Sequence, residues 1–345
     1  MLHWQTAYIS TVDIMSIAVE SQINDQVNVQ TKPLSSELML NTHEQVAFWD
    51  KVTESDINTD DNISLAYMYI EHPGSARAIV ISSGRIESYL KYKELIFDLY
   101  HQGYSVFALD HRGQGLSTRT TSNPHHGHID KFSTYVDDFA FFIDTVVAPK
   151  QYQELFLVGH SMGGTIGTLY MDKHPDTFTA AVFSAPMYGI KLPVSSRFIR
   201  WLANKLDTKN GAEPNYVLGG KDYHDDEFAN NDLTKSQARY EDYRKLYQQR
   251  PELQLGSPTN HWLVESIDAG AKTIKAAKAT KTPMLILQAD EDMVVDNFAQ
   301  YHAVGGLCEL INIPDARHEI FMEMDESRNF AIDKLLKFLA SHHCH

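Results

Sequence analysis

The sequence predicts an α/β protein with a mostly parallel central sheet, helices on both faces and an inserted helical cap. Three observations carry that reading. From Val52 onward, short apolar runs alternate with stretches whose apolar residues recur at helical spacing. The runs are continuously apolar, as strands covered on both faces are. Between Met187 and Lys281 the alternation lapses for much longer than one crossover helix requires.

Residues 1 to 40, rich in Gln, Asn, Ser and Thr, are expected to form a loosely ordered extension. Within them Ile14–Val19 is too short for the core of a secretory signal, lies between Asp13 and Glu20, and has no Lys or Arg ahead of it. Val52–Asn58 and Ile63–Ile70 read as an opening hairpin turned at Thr59-Asp60-Asp61-Asn62. Buried strands follow at Ala78–Ser82, Ser105–Leu109, Glu154–Val158, Ala180–Phe183, Met284–Gln288 and Glu309–Ile313. Tyr92–Gln102 is amphipathic and stops at Gly103, a residue suited to a left-handed cap; Phe132–Val147 and Ala331–Leu339 show the same spacing. The core is therefore expected in residues 41–186 and 282–345. Residues 187–281 are expected to cap the ligand-binding edge of the sheet with helices over Ser195–Leu206, Leu233–Gln249 and His261–Ala277.

At 345 residues, 43% of them hydrophobic, the chain is long enough to bury a sizeable core. Its formal net charge of −15 opposes a phosphate backbone, so nucleic acid is not an expected partner. Two cysteines, Cys308 and Cys344, make no disulfide framework, which fits a reducing cytoplasm. No apolar run approaches the ~20 residues of a membrane span. His125-His126-Gly127-His128 and His342-His343-Cys344-His345 hold metal-ligand residue types at no structural zinc spacing, so neither metal nor cofactor is expected.

The strongest chemical signal is Gly159-His160-Ser161-Met162-Gly163-Gly164, directly after one strand and directly before a helix. Such a turn lifts a serine hydroxyl above the sheet edge at a helix N-terminus, where backbone N–H groups face developing negative charge. A serine hydroxyl needs a base, and the base needs a carboxylate to orient it. With the order serine, acid, histidine, the base is His318, in Asp315-Ala316-Arg317-His318-Glu319 after the last strand. The acid lies in Ala289-Asp290-Glu291-Asp292; spacing ahead of Val294-Val295 favours Asp292, with Asp290 the alternative. The oxyanion donors are expected to be the N–H of Met162 and the N–H of Arg85, in the loop Ser82–Glu87.

Taken together, these segments resemble the bacterial lysophospholipases of the α/β-hydrolase superfamily and, more distantly, monoacylglycerol lipases, from about Val52 to the C-terminus. The resemblance rests on Gly84-Arg85-Ile86-Glu87-Ser88-Tyr89, Asp110-His111-Arg112-Gly113-Gln114-Gly115, the Ser161 turn, Gly256-Ser257-Pro258-Thr259-Asn260-His261-Trp262, Val294-Val295-Asp296-Asn297 and Ala316-Arg317-His318-Glu319. It implies hydrolysis of lysophospholipids or other single-chain acyl esters through an acyl-enzyme, with Asp110–Gly115 shaping the floor of the site. Ser83 stands where monoacylglycerol lipases carry His, which points away from a glyceride, and Ala289 where Gly often opens the acid loop. The alternatives are a monoacylglycerol lipase, a general carboxylesterase, or a lipid-binding homologue without turnover. Lys191–Lys205, basic and amphipathic, reads either as a plain lid helix or as a peripheral contact with the inner face of the cell membrane.

Overall fold

The computed structural model describes residues 32–208 and 212–343. A short helix, α1 (His43–Trp49), begins with a reciprocal capping box between Thr42 and Gln45. Strands β1 (Thr53–Asn58) and β2 (Ser64–Ile70) form the expected hairpin, with Asn62 in the left-handed region. Then come β3 (Arg77–Ser82), α2 (Lys93–His101), β4 (Ser105–Leu109), α3 (Phe132–Phe142), β5 (Glu154–His160), α4 (Met162–Lys173) and β6 (Ala180–Ser184). The long insertion supplies α5 (Ser196–Leu206), α6 (Gln237–Gln249) and α7 (Asn260–Lys278). The chain returns through β7 (Met284–Ala289), α8 (Asn297–Tyr301), β8 (Cys308–Ile313) and α9 (Asp325–Ser341).

The eight strands lie in the order β1-β2-β4-β3-β5-β6-β7-β8, with β1–β2 and β2–β4 antiparallel and every later pair parallel. After β3 the chain moves to one side for β4 and then back to the other for β5. The carboxyl ends of β3 and β5 therefore flank a point where strand order reverses, and such a crevice is where open α/β sheets bind ligands. Every residue of β4, β6 and β7 is buried, which explains their unbroken apolar runs.

Three local readings need correction. Residues 32–40 belong to the stretch expected to be loose, yet they are tied to the body. Ser35 donates to Asp98 Oδ1 through its N–H (2.9 Å) and its hydroxyl (2.7 Å), and Ser36 Oγ donates to Asp325 Oδ2 at 2.6 Å. Polar composition suggests a loose chain, but it carries no sign of distant carboxylates able to fix it; residues 1–31, including Ile14–Val19, lie outside the described residues. The helix expected from Leu233 starts at Gln237 instead. Asn231 Oδ1 takes the N–H groups of Leu233 and Thr234, and Thr234 Oγ1 donates to Met322 O at 2.6 Å, so these residues clamp the loop after His318 before the helix begins. The C-terminal helix is longer than its apolar spacing, because its first turn, from Asp325, pairs with Arg239 rather than entering the core.

Candidate active site

Ser161 sits between β5 and α4 with φ 50° and ψ −117°, a conformation that a side chain tolerates only under constraint. Two contacts supply the constraint: the Ser161 N–H donates to Ser184 O at 3.1 Å, and Ser161 O accepts from the Met187 N–H at 3.0 Å. The neighbouring glycines answer to close approach. A Cβ on Gly163 would stand 2.0 Å from Ser82 O, and one on Gly159 would stand 3.0 Å from Gly164 N. Met162 is the first residue of α4, so its N–H has no intrahelical acceptor.

The loops after β7 and β8 bring the acid and the histidine together. His318 Nε2 lies 3.0 Å from Ser161 Oγ, and His318 Nδ1 lies 2.8 Å from Asp292 Oδ2. All three residues are buried. The tautomer follows from these neighbours: Nδ1–H donates to the carboxylate, leaving Nε2 to accept from the serine hydroxyl. Asp292 Oδ1 also accepts the N–H groups of Val294 (2.8 Å) and Val295 (2.9 Å). Burial works to raise the Asp292 carboxyl, but the His318 charge and these hydrogen bonds outweigh it and hold it below its ordinary value. Asp290, the alternative acid, is exposed and accepts from Asn312 at 3.2 Å instead.

A second buried charge group, absent from the sequence reading, stands behind the histidine. Lys91 Nζ bridges Glu87 Oε1 (2.9 Å) and Glu319 Oε1 (2.5 Å), and Tyr92 donates to Glu87 Oε2 at 2.5 Å. Burial pushes Glu87 up, yet Lys91 and the other partners bring it down to about 2. Glu87 Oε2 also accepts the Gly84 N–H at 2.6 Å, so the network braces the loop after β3. His160 packs 4.8 Å from the His318 ring, and burial holds it down at about 4, hence uncharged. Of this group, the sequence shows only the four-residue spacing of Glu87 and Lys91 and the adjacency of His160 to Ser161 and of Glu319 to His318. Asp110, expected at the floor of the site, does not line the cavity; it is buried and holds the neighbouring loops, accepting from Ser88 Oγ (2.7 Å), Tyr89 N (2.6 Å) and Leu116 N (2.8 Å).

Above Ser161 opens a cavity of about 380 Å³, walled by both the sheet loops and the insertion, including Arg85, Met187, Tyr243, Tyr247, Trp262 and Val295. No residue of α5 lines it. That helix packs on α7, and it leaves Phe198 and Trp201 about half exposed, at 50% and 52%. Arg200, one of the basic residues of Lys191–Lys205, makes a two-point pair with Asp268, at 2.6 Å through both nitrogens. No helix among the described residues is long and apolar enough to cross a membrane, and no three His, Cys, Asp or Glu side chains among them converge on a metal-sized site. Cys344 and His345 lie outside the described residues.

Comparison with known proteins agrees with this architecture. The family described as serine aminopeptidase, S33, matches residues 74–325. Lysophospholipase L2 of Escherichia coli is 37% identical over 305 residues, covering 86% of this chain and 89% of the relative. Monoglyceride lipase of Mus musculus is 27% identical over 234 residues, covering 68% and 71%. Among solved structures, a soluble variant of monoglyceride lipase from Saccharomyces cerevisiae, in complex with a substrate analog, superposes with a TM-score of 0.65 at 21% identity, over 85% of this chain and 97% of that one. The chain belongs to the serine aminopeptidase S33 family of α/β-hydrolases, in the company of carboxylic ester hydrolases named lysophospholipase and monoglyceride lipase.

Proposed function

We propose that this chain, a carboxylic ester hydrolase by its family, cleaves lysophospholipids to a fatty acid and a glycerophospho-alcohol, with Ser161 as nucleophile, His318 as base and Asp292 as its orienting acid. The observation that carries the reading is the unbroken hydrogen-bond chain from Ser161 Oγ through His318 to Asp292 at the floor of the cavity. His318 Nε2 takes the hydroxyl proton as Oγ attacks the ester carbonyl, and returns it to the departing glycerol oxygen as the C–O bond breaks. Water then attacks the acyl-enzyme with His318 again as base, releasing the fatty acid and restoring the serine. The N–H groups of Arg85 and Met162 receive the negative oxygen in both steps, each worth about 3 kcal/mol of barrier. Glu87 supports this pairing, because it occupies the Gly84 N–H and leaves the next N–H along the loop as the donor.

Peripheral membrane contact belongs to the same proposal. Phe198 and Trp201 stand at a membrane interface in this reading, with Arg197 exposed beside them. The deciding experiment measures fatty-acid release from lysophosphatidylcholine, lysophosphatidylethanolamine, a monoacylglycerol and a short p-nitrophenyl ester. Preference for the two phospholipids supports the reading; preference for the monoacylglycerol replaces it with a glyceride lipase, and release from the p-nitrophenyl ester alone with a general esterase. Labelling of Ser161 by a fluorophosphonate separates any of these from a lipid-binding homologue without turnover.

A further inference from the structure

The cations and the carboxylates of the cavity wall, Glu87, Asp222, Asp226 and Glu319 among the latter, are not all paired with one another. Four Lys and Arg side chains line it: Arg85, Lys91, Lys221 and Arg244. Lys91 is shared by Glu87 and Glu319, and Arg244 lies 3.8 Å from Asp225 and 4.0 Å from Asp226. The remaining wall carboxylates are also engaged, Asp226 with His224 at 2.8 Å, and Asp222 with the Tyr216 hydroxyl and Asn123. Arg85 and Lys221 enter no ion pair among the described residues.

Arg85 is half-buried, and its surroundings fix its position without neutralising it. Its guanidinium lies 5.5 Å from the Trp262 ring centre, and one N–H donates to Gly256 O at 2.9 Å. A guanidinium has five N–H donors in a fixed fork, so most of its capacity remains open. Burial without a counter-charge lowers its pKa to about 10. Gly127 leaves it room, since a Cβ there would stand 2.8 Å from Nη1. Lys221 is exposed at the rim of the same wall, where its backbone exchanges hydrogen bonds with Ser257, next to Gly256. The loop after β3 and the Gly256–Trp262 segment, both carriers of the sequence resemblance, thus meet through one cation in the lining of the cavity above Ser161.

We propose that the Arg85 guanidinium, with Lys221 at the rim, receives the phosphodiester of the leaving glycerophospho-alcohol and makes the cavity selective for phosphate-bearing lysolipids over neutral monoacylglycerols. This rests on the lysophospholipase reading above and names the group that sets it. The planar fork matches two phosphate oxygens, a charge-assisted pairing that a monoacylglycerol does not offer. Backbone and side chain of one residue then serve different parts of one substrate: the N–H the carbonyl oxygen, the guanidinium the headgroup.

The test uses the full chain as wild type, Arg85→Met and Arg85→Lys. The kcat/KM is measured on lysophosphatidylethanolamine and on the monoacylglycerol of the same acyl chain. Arg85→Met is expected to lower the ratio of the two by about 30-fold, mainly through KM for the phospholipid, the scale of one charge-assisted bond. Arg85→Lys is expected to fall between, keeping charge without the fork. A second arm measures inhibition of p-nitrophenyl ester hydrolysis by glycerophosphoethanolamine: competitive for the wild type, at least ten times weaker for Arg85→Met. An unchanged ratio, or equal inhibition of both proteins by glycerophosphoethanolamine, overturns the proposal. Inhibition by inorganic phosphate as strong as by the headgroup overturns it as a headgroup site. Were the wild type to cleave no lysophospholipid, the function proposed above would fail, while the inhibitor arm would still decide whether Arg85 binds a phosphodiester.

Discussion

The two walls of the cavity treat buried charge in opposite ways. Behind His318, Lys91 is enclosed by Glu87 and Glu319, and Glu87 in turn takes the Tyr92 hydroxyl and the Gly84 N–H. Elsewhere in the lining, Arg85 rests on Trp262 with one backbone acceptor and, among the described residues, no carboxylate partner. Removing one member of a buried pair leaves an uncompensated charge, whereas an unpaired cation open to a cavity has little of the fold depending on its charge. On the function proposed above, the first wall holds the reacting groups still and the second meets a charge that arrives with the substrate.

The largest effect calibrates both walls by touching neither. Ser161→Ala is expected to lower kcat by at least about 10³-fold with the thermal midpoint retained, because it removes one hydroxyl and no part of either charge group. Retention of a tenth of the activity would require another nucleophile. Asp292→Asn is expected to reduce kcat by about 10³- to 10⁴-fold through the wrong imidazole tautomer, and Asp290→Asn by less than about tenfold. The reverse ranking would move the acid to the exposed residue.

The contrast itself is broken or upheld by stability. Lys91→Met is expected to cost about 3–5 kcal/mol in denaturant unfolding, since two buried carboxylates lose their cation. Arg85→Met is expected to cost no more than about 1 kcal/mol, the scale of its ring contact and single backbone bond. Equal losses would mean that Arg85 is as structural as Lys91.

Acid sharpens the same comparison by a smaller amount. His160 is held at about 4 by burial, below the ordinary 6.5, so between those values the unfolded chain binds a proton that the folded chain refuses. Stability is expected to fall as pH drops from about 6.5 to about 4, and His111, also held at about 4 by burial, adds to the slope. Glu87 contributes in a lower window: its stabilisation is complete above the ordinary carboxylate range and is lost as pH falls toward about 2. Urea midpoints across pH 4–7 should flatten in His160→Gln; an unchanged slope would assign the acid sensitivity elsewhere. The smallest expected effect lies outside both walls. Arg197→Glu should weaken binding to anionic vesicles about threefold at low salt, with activity on a short soluble ester little changed, and loss of both together would leave α5 a structural helix.

The sequence by itself determined the sheet, because strands buried on both faces must be apolar throughout, and that requirement is local. It singled out Ser161 as the candidate nucleophile as well, because a serine between glycines, after a strand and before a helix, is a backbone demand written in consecutive residues. It narrowed the acid to Asp290 or Asp292 without separating them on chemistry, since both are carboxylates on one loop. The tertiary structure distinguishes their surroundings, burying Asp292 with Oδ2 2.8 Å from His318 Nδ1 and leaving Asp290 exposed. The Lys91 group was only half legible, because Glu87 and Lys91 stand four residues apart while Glu319 reaches Lys91 through folding alone. The tethering of residues 32–40 and the pairing of Arg200 with Asp268 were out of reach. Whether a charge is paired or open depends on what folding brings within a few ångströms of it, and a linear sequence carries no such distance.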